Sequence, residues 1–199
     1  MSDFDLKDVK KLEDLKDTCK KFFELEKPYG WMIEELTNSL YEKEGEIQGN
    51  YLTALGLFCF SEVIGREIMH YKNQKTIRSQ FKGKDCFNLF LKEYMGYGSI
   101  LEKYEHVYEW YRHGLCHEYK IKGPTTTGVF VYYRSEDISA FQGMGVDTTK
   151  GILLSEKSTK RMFILLPYLE DFIKGIEKFL KEKSETADQD KTIKWTYTN

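Results

Sequence analysis

Residues 50–71 read Asn50-Tyr51-Leu52-Thr53-Ala54-Leu55-Gly56-Leu57-Phe58-Cys59-Phe60-Ser61-Glu62-Val63-Ile64-Gly65-Arg66-Glu67-Ile68-Met69-His70-Tyr71. Asn50 is a good N-cap for the long apolar segment behind it. Gly56 and Gly65 cost helix propensity, so they are expected where another helix comes close. The apolar core of the stretch, Tyr51 to Phe60, is soon followed by Glu62, Arg66 and Glu67. That is too short and too charged to cross a bilayer. A long, nearly apolar helix in a non-membrane chain needs other helices around it, and a helical bundle is the natural host.

The flanks supply those helices. Over residues 3–27, Phe4, Leu6, Val9, Leu12, Leu15, Cys19, Phe22, Phe23 and Leu25 repeat at helical spacing, opposite a face rich in lysine and acids. Pro28 stops or kinks that helix. Residues 30–45 carry a shorter pattern through Trp31, Ile33, Leu36 and Leu40. The segment His70–Lys84 holds Lys72, Lys75, Arg78, Lys82 and Lys84 with no acid. It reads as a solvated connector or as a patch for phosphate backbone. Asp85 opens a short helix through Phe87, Leu89, Phe90, Leu91 and Tyr94, which Gly96 and Gly98 end. Ser99 and Glu102 form a capping box for a helix expected to run to about Glu118.

Beyond Gly123-Pro124 the pattern changes. Val129-Phe130-Val131-Tyr132-Tyr133 and Ile152-Leu153-Leu154 are β-rich runs, with Gly143, Gly145 and Gly151 between or beside them, which predicts a small irregular hairpin. Ser158 or Thr159 is expected to cap a last helix from Met162 to about Lys183. The whole is mainly α: a bundle of five or six helices with a hairpin insertion at about 126–155, in one domain over 1–183, and a polar tail over 184–199. The 199 residues suit one domain, and 41% hydrophobic residues exclude wholesale disorder. With 30 basic and 32 acidic residues, bulk charge does not coat nucleic acid, although a local patch still can. The N-terminus Met1-Ser2-Asp3-Phe4-Asp5 lacks a signal-peptide pattern, and Cys19, Cys59, Cys86 and Cys116 form no C-x-x-C pair. A cytoplasmic protein with reduced cysteines is expected, with no membrane partner.

Chemistry concentrates on Tyr108-Glu109-Trp110-Tyr111-Arg112-His113-Gly114-Leu115-Cys116-His117-Glu118-Tyr119, since three of the 4 histidines lie on this expected helix, His106 included. At about 100° per residue, Tyr104, Tyr108, Tyr111, Leu115 and Tyr119 form one stripe, the natural core face. His106, Trp110, His113 and His117 lie on the other side, within about 60° of one another. No remaining segment obviously needs that second face, so a second copy of the chain is a candidate to cover it. Three readings of the face compete. It can be aromatic packing with its histidines satisfied by neighbours such as Glu109, and Arg112 paired to an acid. It can be a metal site, since His113 and His117 have the i, i+4 spacing, but no H-E-x-x-H and no third ligand accompany them. It can be a site for RNA chemistry. Metal-free cleavage needs proton transfer near neutral pH, which suits imidazole, and charge stabilisation on the phosphorane, which suits guanidinium.

Arg112-His113-Gly114-Leu115-Cys116-His117 resembles the R-x(4–6)-H signature of the HEPN superfamily, in which the residue after the arginine is commonly polar, as His113 is. The signature there sits near the end of a late helix in a small all-α bundle. The resemblance implies an endoribonuclease needing no metal and no other cofactor, its cleft built between two protomers, with Arg112 stabilising the phosphorane, His117 transferring protons and His113 assisting. Lys120 and Lys122, just beyond, are candidates to hold the flanking RNA backbone. Other members of the superfamily are inactive and bind nucleotides, an antitoxin or a nucleotidyltransferase-like protein. Many belong to toxin–antitoxin, antiphage or RNA-processing systems. A homodimer binding RNA, or else an interaction module binding a protein partner or a nucleotide, is therefore expected. The β-rich stretch is not part of the minimal family bundle. On an ideal helix Arg112 and His117 stand about 140° apart, so the helix is expected to loosen near Gly114, or the arginine to wrap round, if both serve one phosphate.

Overall fold

Phe58 stands at the centre of the molecule. Its ring lies 4.5 Å from that of Phe163, 5.1 Å from Tyr168, 5.8 Å from Tyr111 and 5.9 Å from Phe87, four residues from four different parts of the chain. The structure is a computed structural model and describes residues 6–40, 50–73, 76–118, 120–122, 125–130, 141, 144–155 and 160–189. Phe58 belongs to α3 (Asn50–Lys72), whose buried residues Ala54, Leu57, Phe58, Ile64 and Ile68 face several neighbours at once. Gly65 lets α4 (Gly83–Leu89) approach so closely that a Cβ there would collide with the Cys86 carbonyl. At Gly56 a Cβ would stand 3.0 Å from a Leu36 methyl. Both glycines therefore sit at close helix contacts, as the sequence implied.

Helix α1 (Leu6–Leu25) and α2 (Lys27–Asn38) form an antiparallel pair, turned by Pro28 in the first turn of α2. Leu12, Leu15, Cys19 and Phe22 meet Ile33 and Leu36. Helix α4 runs into a π-helical turn, Phe90–Tyr94, and Gly96, at φ 76°, ends it. Then come α5 (Gly98–Lys103), a second π-helical turn (Tyr108–His113) and α6 (Gly114–Glu118).

Strands β1 (Thr125–Phe130), β2 (Ile152–Leu154) and β3 (Lys160–Ile164) form a small sheet of order β1-β3-β2. Strand β3 lies antiparallel to β2, with Ile152 opposite Phe163, and parallel to β1. One face of the sheet, Ile152, Leu154 and Phe163, joins the main core; the other, Leu153, Met162 and Ile164, packs with Phe141 and Val146. The long α7 (Leu165–Gln189) follows β3 directly and closes the core with Leu169, Phe172, Ile173, Ile176 and Phe179.

The mainly helical class with a small antiparallel hairpin is as expected, but four local readings change. The hairpin joins β2 to β3, and β1 adds alongside in parallel; Val131, Tyr132 and Tyr133 lie outside the described residues, as do Ser158 and Thr159. Residues 162–164 are strand rather than helix. Their β-preferring Phe163 and Ile164 pair with Ile152 of β2 and Phe130 of β1, while Pro167 sits in the first turn of the true helix, where proline is tolerated. The helix then continues into the expected tail, to Gln189. Finally, the single helix expected over 99–118 is two. Tyr104 is extended (φ −132°, ψ 96°), and Gly98 rather than a Ser99 capping box opens α5. Tyr, His and Val around the break are only moderate helix formers, so tertiary packing prevails there.

Candidate functional site

The wide turn Tyr108–His113 holds Arg112 and His113, α6 carries His117, and Lys120 and Lys122 follow it. The inner side of the turn is anchored by Tyr111, fully buried, whose hydroxyl lies 3.1 Å from the Leu153 carbonyl and 3.3 Å from that of Met162. The helix is thereby fastened to the hairpin. Leu115 is buried one turn later, and Tyr104 and Tyr108 are half-buried, so the tyrosine stripe is the core face; Tyr119 lies outside the described residues.

Arg112 faces α3. Its Nε lies 2.8 Å from Oε2 of Glu62, without the N–H aimed along that line, so the contact is an ion pair rather than a hydrogen bond. Only 21% of the Arg112 side chain and 14% of the Glu62 side chain is exposed. The Tyr108 hydroxyl donates to the same Glu62 oxygen at 3.1 Å, and Arg66 Nη2 donates to Oε1 at 3.3 Å. Arg66 is itself fixed by the carbonyls of Phe81 and Arg78. Burial pushes the Tyr108 phenol up to about 12, so it stays a donor. One carboxylate thus gathers two guanidiniums and a phenol. Next to it, Cys59 on α3 and Cys116 on α6 bring their sulfur atoms to 3.7 Å.

His113 and His117 lie on a neighbouring face. Their ring centroids are 4.4 Å apart; His117 is exposed and His113 half-buried. The Lys122 ammonium donates to His113 Nδ1 at 3.2 Å, which leaves the His113 proton on Nε2. Loss of solvent, then the charges of Lys122, His117 and Arg112, push His113 below the usual histidine range. Glu118 ties down both lysines, Lys122 at 2.8 Å and Lys120 at 3.5 Å. Among the described residues no group of three or more His, Cys, Asp and Glu is placed to hold a metal ion.

The return of the chain after α6 explains Gly114. Lys122 N–H donates to the Trp110 carbonyl at 2.8 Å, so residues 120–122 run back along the wide turn. A Cβ on Gly114 would stand 2.5 Å from the Lys120 carbonyl oxygen. The loosening expected at Gly114 occurs just before it, in the π-helical turn, and the glycine serves close approach instead. This return also covers part of the second face, at Trp110 and His113. Arg161, from β3, lays its guanidinium 3.7 Å from the centre of the Trp110 ring and donates to the Lys122 carbonyl. His106 completes the face, its ring centroid 5.7 Å from that of Trp110 and its Nε2 3.0 Å from Glu105.

No family model, no curated protein and no solved structure matches this chain.

The five candidates therefore divide into two groups. His113, His117, Lys120 and Lys122 come together at the surface, and Arg112 is held on the inner side by Glu62. Glu109, expected to satisfy His113, instead pairs with Lys84 at 2.8 Å. Three cations of the basic segment are paired within the chain, while Lys82 is exposed. Lys72 pairs with Glu93, Arg78 with Glu67 and Lys84 with Glu109, while Lys75 lies outside the described residues. Glu62 and Arg161 were not singled out from the sequence. A signal for Glu62 did exist, as the first acid in an otherwise apolar run; Arg161 had none, because its role depends on where β3 lies.

Proposed function

We propose that this chain is an HEPN-like protein that binds and cleaves RNA without a metal, as a homodimer. The observation that carries the reading is the contact between the half-buried His113 and the exposed His117, with Lys122 bonded to the first. The exposed imidazole of His117 is suited to transfer protons near neutral pH, while His113, whose Nδ1 is taken by Lys122 and whose Nε2 carries the proton, assists beside it. Lys120 and Lys122 offer charge for the flanking phosphates, and Arg112 is one turn away on the same helix. For Arg112 to touch the phosphorane, its guanidinium must keep one edge on Glu62 and present the other, or the groups must come from two protomers.

The test is incubation with mixed RNA in chelator. The wild type is expected to cleave, and His117→Ala and Arg112→Ala each to lose cleavage while keeping a folded state. Equal activity in the variants, or an inert wild type, removes the reading. One observation favours a second reading, a non-catalytic module of the same type that binds a protein partner, such as an antitoxin or a nucleotidyltransferase-like subunit, or a nucleotide. The Arg112 charge is already spent on Glu62, as a structural ion pair requires. An inert wild type that nevertheless binds nucleotide through the His113–His117 face would establish that alternative.

A further inference from the structure

Two thiols meet one helical turn from the Glu62–Arg112 ion pair. Cys59 and Cys116, 57 residues apart in sequence, hold their sulfur atoms 3.7 Å apart, and both are free and half-buried. The other two cysteines are placed differently. Cys19 is buried against the Gly30 carbonyl, and Cys86 is buried beside the Met69 sulfur. A disulfide needs sulfur atoms about 2.05 Å apart, so the pair must close by about 1.7 Å, within reach of small side-chain rotations. The helices need not be brought together, because Glu62–Arg112 already joins α3 to the segment that carries Cys116.

We infer that Cys59 and Cys116 are a redox modification site, which a peroxide converts to an intramolecular disulfide joining α3 to α6. The chemistry closes in two steps. The Cys116 thiolate attacks the peroxide; an S–O bond forms, the O–O bond breaks, and the departing hydroxide takes a proton to become water. Cys59 then attacks the Cys116 sulfenic acid; the S–S bond forms, the S–O bond breaks, and the Cys59 proton leaves with the hydroxyl as a second water. Two electrons pass from the thiols to the peroxide. Burial pushes Cys59 up to about 11, so it is a thiol at neutral pH and must give up its proton as it attacks, which makes the second step the slower one. Such a bond in a reducing compartment would be transient, as redox-sensing disulfides are.

The inference is independent of the RNA reading, and its test reads sulfur chemistry. The reduced full chain is treated with equimolar hydrogen peroxide, alkylated, digested without reductant and mapped by mass. The expected product has the Cys59 and Cys116 peptides of one chain joined, with two hydrogens lost, no covalent cross-link between chains, and Cys19 and Cys86 still alkylated. The Tm is expected to rise by about 5–15 °C and to return with dithiothreitol, because the bond closes a long loop. In Cys59→Ser, Cys116 should stop at the sulfenic acid. The inference is overturned if both cysteines stay alkylatable in oxidised wild type, if bonds form between chains instead, or if the cross-link lowers the Tm. The wild-type map decides the matter even if Cys59→Ser does not fold.

Discussion

Replacing Glu62 by Gln tests the centre of the candidate site, because it keeps the volume and removes the charge. Glu62 takes a hydrogen bond from Tyr108 at 3.1 Å and one from Arg66 at 3.3 Å, and an ion pair from Arg112 at 2.8 Å. A hydrogen bond to a charged group contributes about 1 kcal/mol more than a neutral one. Two such hydrogen bonds give about 2 kcal/mol and the partly buried ion pair with Arg112 about 1 kcal/mol more, but Arg66 is 28% exposed and its share is screened by water, which leaves about 2–3 kcal/mol. For a chain of this size that lowers the Tm by about 4–12 °C. Urea denaturation of the wild type, Glu62→Gln, Arg112→Ala and the double variant reads both the cost and the coupling. A coupling of about 1–2 kcal/mol between the two sites is expected. A Glu62→Gln protein within about 0.5 kcal/mol of wild type, with no coupling to Arg112, would show that the carboxylate does not hold the arginine.

Two further outcomes follow from the same region. In NMR titration His113 should have its midpoint below the ordinary value of about 6.5, and Lys122→Ala should move it upward. Because the folded state binds this proton less readily than the unfolded one, the His113 contribution lowers stability as pH falls below about 6.5 and levels off beneath the folded midpoint. Gly114→Ala should cost about 1–2 kcal/mol, as the crowding against Lys120 and Lys122 outweighs the gain in helix propensity, and it should shift the His113 resonances. An unchanged or raised Tm in that variant would mean that the returning segment yields easily.

The candidate site was legible from local pattern only in part. The i, i+4 placement of His113 and His117 and the burial of Tyr111 and Leu115 follow from helical periodicity, and both are present. The partner of Arg112 was legible only as a class, an acid on this or another helix, because Glu62 precedes it by 50 residues. The second face is covered only in part, with His106 and His117 still exposed. Arg161 and Lys122 cover Trp110, and neither can be placed there without knowing that β3 crosses beside the turn.

Periodicity and helix punctuation decide what each short segment can bury. Hence the apolar α3, the α1–α2 pair broken at Pro28, the close approaches at Gly56 and Gly65 and the mainly helical class could be read residue by residue. Strand pairing, the break at Tyr104 and the wide turn at Tyr108–His113 depend on contacts between residues far apart in the chain, where packing energy exceeds the small differences in local propensity. For the same reason only the tertiary structure decided that Glu62 holds Arg112, and that Cys59 faces Cys116.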